Sequence, residues 1–275
     1  MGKLQRFRLA LAASVMFSAF GVGQVAASVE GPPIKQFDCS DSSLCGYSLA
    51  VDGSVVGSGL FSIDARGNVS LNGGEGAFFQ GNGWTANFNG IGGNLDPSLL
   101  FGGGSTNSST INQNFTFTFS VPLVPPLNAP IKTASQMGIT LTPPFSGLAQ
   151  VYGTAASGFI MEAQDIDVTA GGPDVRVNKG VDLFGAALGP YTATGSGIFG
   201  ANDTVFFTQS KTGLITTPGS YDFMVVKVAY GLTPGAAVGF SGRVDQIPVP
   251  EPSTYVLLAV GLVGVAFAAR RRTKA

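Results

Sequence analysis

Apolar and polar side chains alternate repeatedly through the middle of this chain. Phe115, Phe117, Phe119 and Val121 fall on one face of an extended segment, with Thr116, Thr118 and Ser120 on the other. Side chains on a strand repeat every second residue, so this pattern predicts a half-buried β-strand. Phe61 and Ile63, then Val69 and Leu71, flank Ala65-Arg66-Gly67-Asn68 and predict a hairpin with a glycine-containing loop. Residues 221–230 (YDFMVVKVAY) are almost continuously apolar, the pattern of a central strand buried on both faces. Residues 47–51, 55–60, 149–152, 159–162, 205–208 and 238–244 add shorter strands of the same kind. Two stretches break the alternation and are expected to be loops. Residues 121–145 are proline-rich and read as a crossing between sheets, and residues 102–114 are polar and glycine-rich.

Many short strands separated by turn residues predict an all-β domain, a β-sandwich or jelly roll, rather than a βα fold. Forty glycines, frequent Ser, Thr and Asn, and 11% charged residues disfavour helices over the same region.

Both ends depart from this pattern. Lys3, Arg6 and Arg8 precede an apolar run over residues 9–22, and Val25-Ala26-Ala27 follows it. A basic start, a short apolar core and small residues make a secretory signal peptide, with cleavage expected after Ala27 by signal peptidase. At the other end, residues 255–269 contain neither charge nor proline. Fifteen residues at about 1.5 Å each span roughly 22 Å of helix, short of the ~30 Å hydrocarbon core of a bilayer. Flanking arginines that snorkel into the headgroups, or local thinning, would make up the difference. A short apolar run is also compatible with a buried core helix. Arg270, Arg271 and Arg272 close the run and favour a transmembrane helix with its C-terminus on the cytoplasmic side. Just before it, Val249-Pro250-Glu251-Pro252 forms a stiff, extended segment, because each proline fixes its own φ and extends its predecessor. The expected division is a signal peptide over residues 1–27, an exported all-β domain over 28–247 and a tail over 248–275. Within that tail, the motif takes 249–254, the transmembrane helix 255–269 and the basic end 270–275.

Val249-Pro250-Glu251-Pro252, an adjacent apolar helix and a terminal Arg cluster resemble the PEP-CTERM sorting signal of Gram-negative bacteria. The resemblance covers about a tenth of the chain. It implies recognition by a membrane exosortase, a transient stay in the inner membrane, removal of the helix, and delivery to the cell surface or extracellular matrix. It also implies a structural or adhesive role in extracellular polysaccharide or biofilm, with this chain as the processing substrate and not an enzyme. A Gram-positive sorting signal would need a Leu-Pro-x-Thr-Gly sequence, which is absent, and a GPI signal ends in its hydrophobic tail.

Setting the end segments aside changes the charge balance. The whole chain carries 15 basic and 16 acidic residues. Residues 28–247 hold eight basic against fifteen acidic, a net charge near −7. Such a surface excludes nucleic acid as a partner and suits cations or neutral polysaccharide.

The chain has no histidine. That removes Ser-His-Asp and Cys-His nucleophile pairs and His-ligated zinc. Cys39 and Cys45 are expected to form a disulfide outside the cytoplasm, and no cofactor or metal site is expected. Asp165 and Asp167, two apart on a predicted strand, share one face. They are solvated strand acids, or calcium ligands, or the carboxylates of a glycoside hydrolase. Trp84, set among Gly and Asn, is either a core anchor or a stacking surface for a sugar ring. A carbohydrate- or calcium-binding module is therefore the alternative function.

Overall fold

The computed structural model describes residues 45–71, 76–95, 97–167, 176–179, 182–185, 190–198, 203–216, 219–249 and 260–263. For Pro125, Ile166, Asp167 and residues 176–179 the backbone alone is described. The chain divides into Met1–Pro32 and Pro33–Ala275, and every described residue lies in the second unit.

The domain is all-β, and its strands form two antiparallel layers. In spatial order the first contains β11 (Arg176–Lys179), β10 (Phe159–Asp167), β15 (Ser220–Leu232), β7 (Gln113–Asn128), β1 (Gly46–Val51) and β2 (Ser54–Ile63). The second continues from the far end of β2 through β3 (Asn68–Leu71), β5 (Trp84–Asn94), β6 (Ser98–Asn107), β16 (Ala237–Pro248), β8 (Ile131–Thr142) and β14 (Val205–Ile215). β4 (Phe78–Gly81) pairs with β5, β12 (Leu183–Gly185) with β10, and β9 (Ser146–Gly153) joins β13 (Tyr191–Ser196) to β15. The layers are joined through β2, whose first part pairs with β1 and whose last residues, Phe61 and Ile63, pair with Leu71 and Val69 of β3. The β2–β3 turn is the expected hairpin. Oδ1 of Asp64 accepts from the backbone N–H of Arg66 at 2.8 Å and of Asn68 at 2.9 Å, while Gly67 takes a φ of 79°.

The core sits between the layers and is built from the strongest sequence pattern. Phe115, Phe117 and Phe119 of β7 are fully buried. Their rings meet the second layer edge-on, with Phe117 at 5.1 Å from Phe88 of β5 and 4.9 Å from Phe240 of β16. Phe119 lies 5.4 Å from Phe88. Such tilted pairs add ~0.5–1.5 kcal/mol each beyond the area they bury. β15 is buried on both faces as its apolar run predicts, lying between β7 and β10.

Two expected loops are strands instead. Residues 121–128 continue β7, and residues 131–142 form β8. The prolines fit because β1 pairs with β7 only as far as Ser120, and because residues 123–126 bulge opposite Asp222 of β15, where the register shifts. Proline is tolerated where no ladder bond is required of its nitrogen. Residues 102–107 likewise belong to β6 and are mostly buried; only residues 108–112 turn between strands. Asn107 explains that polar stretch. It is buried, its Nδ2 donates to the carbonyls of Ile111 and Leu232 at 2.8 Å each, and its Oδ1 accepts from Ser109 N–H at 3.0 Å. The glycines answer to packing. A Cβ at Gly103 would stand 2.9 Å from the Phe240 ring and 2.7 Å from the Asn87 carbonyl.

Candidate functional site

The last strand leads straight into the tail. β16 is held on both sides, by β6 and by β8, and its ladder with β8 runs to the pairing of Pro248 with Ile131. One residue further, Val249 N–H donates to the Pro130 carbonyl at 2.8 Å. The Val249-Pro250-Glu251-Pro252 segment therefore begins where the sheet ends, with no spacer between them. Ala27, Pro250, Glu251, Pro252, Arg270, Arg271 and Arg272 lie outside the described residues. Of the apolar run, residues 260–263 form one exposed helical turn. Among the described residues no helix is long and apolar enough to cross a membrane.

The candidate ligand residues lie elsewhere, and apart from one another. Trp84 begins β5 and is 9% exposed, its ring edge-on to Phe115 at 6.3 Å. It anchors the core and offers no face to a sugar. Asp165 is 0% exposed and points inward from β10, because its neighbours on that face, Met161 and Ala163, are core residues. That position corrects the expectation of a solvated acid, and it cannot present a carboxylate to a substrate. Burial pushes its pKa up to about 7, against a smaller lowering from the hydrogen bond that Gln246 Nε2 donates to its Oδ1. Oδ2 of Asp165, Oε1 of Gln246 and Oγ1 of Thr133 are buried without a protein hydrogen-bond partner. Asp167 ends the same strand, but its side chain lies outside the described residues, as does Cys39. Cys45 is buried at the start of the domain. Among the described residues no three acidic, Cys or His side chains cluster to hold a metal.

Sequence reasoning did not find the outer face of the second layer, where polar and aromatic side chains from separate strands come together. One cross-strand row runs Phe78, Asn87, Gly104, Gly239, Thr140, Phe206, over β4, β5, β6, β16, β8 and β14. The Asn87 side chain leans over Gly104, and that of Asn89 over Gly102. From the other side the Phe206 ring lies over Gly138 of β8, with its side chain 47% exposed. A Cβ on Gly239, between them, would meet nothing within 4 Å. Further along, a depression of about 390 Å³ is lined by Ala134, Ser135, Gln136, Ser210, Lys211, Thr212 and Asp245. Asp245 there is bonded to Arg243 Nε at 2.7 Å. The signal for this face exists only in the register, since its residues come from six strands spread over the chain.

Residues 248–272 match the family described as the PEP-CTERM protein-sorting motif. No curated protein matches the chain. Among solved structures the chain is similar to the CBM22-1 xylan-binding domain from Paenibacillus barcinonensis Xyn10C, with 11% identity, 61% of this chain and 88% of that chain covered, and a TM-score of 0.24. It is also similar to TmCBM61, solved in complex with β-1,4-galactotriose, with 8% identity, 60% and 88% covered, and a TM-score of 0.23. A third, the C-terminal CBM6 of LamC from Zobellia galactanivorans, shares 13% identity over 48% of this chain and 79% of that one, with a TM-score of 0.17. The architecture of this chain rests on its own strand ladders, not on these likenesses.

Proposed function

We propose that this PEP-CTERM-bearing chain is an exported, non-enzymatic protein, delivered by an exosortase to the cell surface or extracellular matrix. Its role there is structural or adhesive within polysaccharide or biofilm. The observation that supports this reading is the match of residues 248–272 to the sorting motif, directly after the last ladder pair of β16. In this scheme signal peptidase cleaves after Ala27, residues 255–269 hold the chain in the inner membrane, and Arg270, Arg271 and Arg272 stop it on the cytoplasmic side. The exosortase then acts at Val249-Pro250-Glu251-Pro252. The exported all-β domain spans residues 28–247, and Cys39 pairs with Cys45 in the oxidising exterior. The test is the intact mass and location of the exported chain, with and without Glu251→Ala and Pro252→Ala. An unchanged mature mass and location in those variants refutes the reading.

A carbohydrate-binding role is the second reading, favoured by the exposed Phe206 ring and the Asn87 and Asn89 carboxamides that flank Gly239 and Ser241 on the outer face of the second layer.

A further inference from the structure

We propose that the backbone N–H of Val249 is a recognition group for the processing exosortase, and that the Pro130 carbonyl of the folded domain competes for it. The proposal deepens the sorting reading and rests on it. Main-chain donors are scarce in the motif. Residues 248–252 read Pro-Val-Pro-Glu-Pro, and proline has no backbone N–H. Val249 and Glu251 therefore carry the only two main-chain donors of that segment. An enzyme that takes an extended segment as an added strand draws its affinity from such main-chain bonds. The sheet already holds one of the two, because Val249 N–H donates to the Pro130 carbonyl at 2.8 Å.

The two donors also share a side. Along an extended chain successive N–H groups alternate in direction, so those two residues apart point the same way. The end of β16 follows this rule. Gln246 N–H donates to the Pro97 carbonyl at 2.9 Å, on the β6 side, and Val249 N–H donates on the β8 side. The ladder with β6 ends at Asp245. Beyond Gln246, among the described residues, β8 alone pairs with the strand, Ile247 with Lys132 and Pro248 with Ile131. An enzyme strand that bonded both Val249 and Glu251 would lie where β8 begins. The two cannot occupy that side together, so recognition requires Val249 to leave Pro130. Both residues are half-buried and stand at the end of the ladder, where local opening is least costly. When opening is fast, a step that needs it proceeds in proportion to the open fraction. The domain's own sheet thus slows the removal of its tail.

The test follows tail removal in the full chain by pulse labelling and intact mass, in a host that carries the exosortase. Two variants change this contact and leave residues 248–275 unaltered. A Gly-Ser-Gly-Ser insertion between Ile247 and Pro248 carries the whole motif away from β8. Lys132→Gly loosens β8 opposite Ile247, at an exposed position outside the core. Melting temperature reports folding in each. The insertion should speed processing on the order of fivefold, the factor that one net backbone hydrogen bond represents. Lys132→Gly should speed it roughly two- to fivefold. Equal or slower processing of the insertion overturns the proposal and shows that the enzyme reads the motif without the Val249 amide. A faster insertion beside an unchanged Lys132→Gly also overturns it, tracing the gain to distance from the domain. Glu251→Ala in the otherwise unaltered chain judges the sorting reading separately. If that variant is processed at the wild-type rate, the sorting reading falls and this proposal with it. If it is not, equal rates for the insertion and the wild type count against the proposal alone.

Discussion

Gln246 and Asp165 meet across the interior of the sandwich: Nε2 of Gln246, near the end of β16, donates to Oδ1 of Asp165 on β10. This bond ties the strand that precedes the sorting motif to the opposite layer. It also buries a carboxyl group among uncharged neighbours, with Met224 paired beside it and Met161 and Ala163 on the same face.

A pH dependence follows from that burial. The carboxyl titrates near 7 in the folded chain, against ~3.9 for an unfolded aspartate. Between those values the folded state holds a proton that the unfolded state has released. Stability contributed by this site is therefore highest below about pH 4, falls as pH rises to about 7, and is flat above. Asp165→Asn removes the titration while keeping the shape. The stability difference between variant and wild type, measured by urea unfolding from pH 4 to 8, should shift toward the variant by a few kcal/mol at most. A difference that does not change with pH contradicts the assignment.

Thr133 faces Gln246 directly in the β8–β16 ladder and is fully buried, and its hydroxyl has no protein partner. An unpaired buried hydroxyl costs free energy, and valine replaces it with a methyl group of similar shape. Thr133→Val should stabilise the domain by about 1 kcal/mol in thermal or chemical unfolding. A loss of that size would mean that the hydroxyl is bonded in solution.

The strand pattern was legible wherever the order of apolar residues itself reports burial. Phe115, Phe117 and Phe119 gave away β7, and residues 221–230 gave away the central β15, because alternation and continuous apolarity report burial directly. Segments whose burial depends on close packing were not legible. The glycines of β6 look like loop residues until Phe240 is placed against Gly103, and the prolines after Val121 look like a crossing until the bulge opposite Asp222 is seen. The sorting motif is local in sequence and could be read there. Asp165 read as a surface acid because nothing local reveals Gln246, 81 residues away in the chain. The cross-strand row of Asn87, Gly239 and Phe206 was hidden for the same reason.

Two glycines in the same ladder should respond in opposite directions. Gly103 and Gly239 lie on β6 and β16, the first facing the core and the second facing out. At Gly103 a methyl group meets the Phe240 ring and the Asn87 carbonyl, so Gly103→Ala should cost about 1–3 kcal/mol. At Gly239 it meets nothing within 4 Å, and an alanine in a strand is less costly to order, so Gly239→Ala should gain about 0.5–1 kcal/mol. Melting of the two variants side by side checks both signs.

Cysteine pairing is tested by mass and by stability. The exported chain should resist alkylation until reduced and be lighter by two hydrogens than its reduced form. Cys39→Ser should destabilise the domain by ~2 kcal/mol, the modest value expected of a short closed loop. Rapid alkylation of the unreduced chain would exclude the bridge.

The tail and the fold should separate cleanly at Pro248. Both ladders of β16 are complete by that residue, and the chain beyond it contributes one described backbone hydrogen bond, from Val249 N–H to the Pro130 carbonyl. A chain ending at Pro248 should therefore lose no more than about 1 kcal/mol of stability, the net worth of one such bond. It should still lose its surface delivery. Ending the chain at Gly235 instead removes β16, which separates β6 from β8 and carries Phe240, Val244 and Gln246 into the core. That shorter chain should not fold. Melting curves and cell fractionation of the two truncations decide the matter: comparable melting for the chain ending at Pro248, together with unchanged delivery, would show that sorting does not depend on the motif.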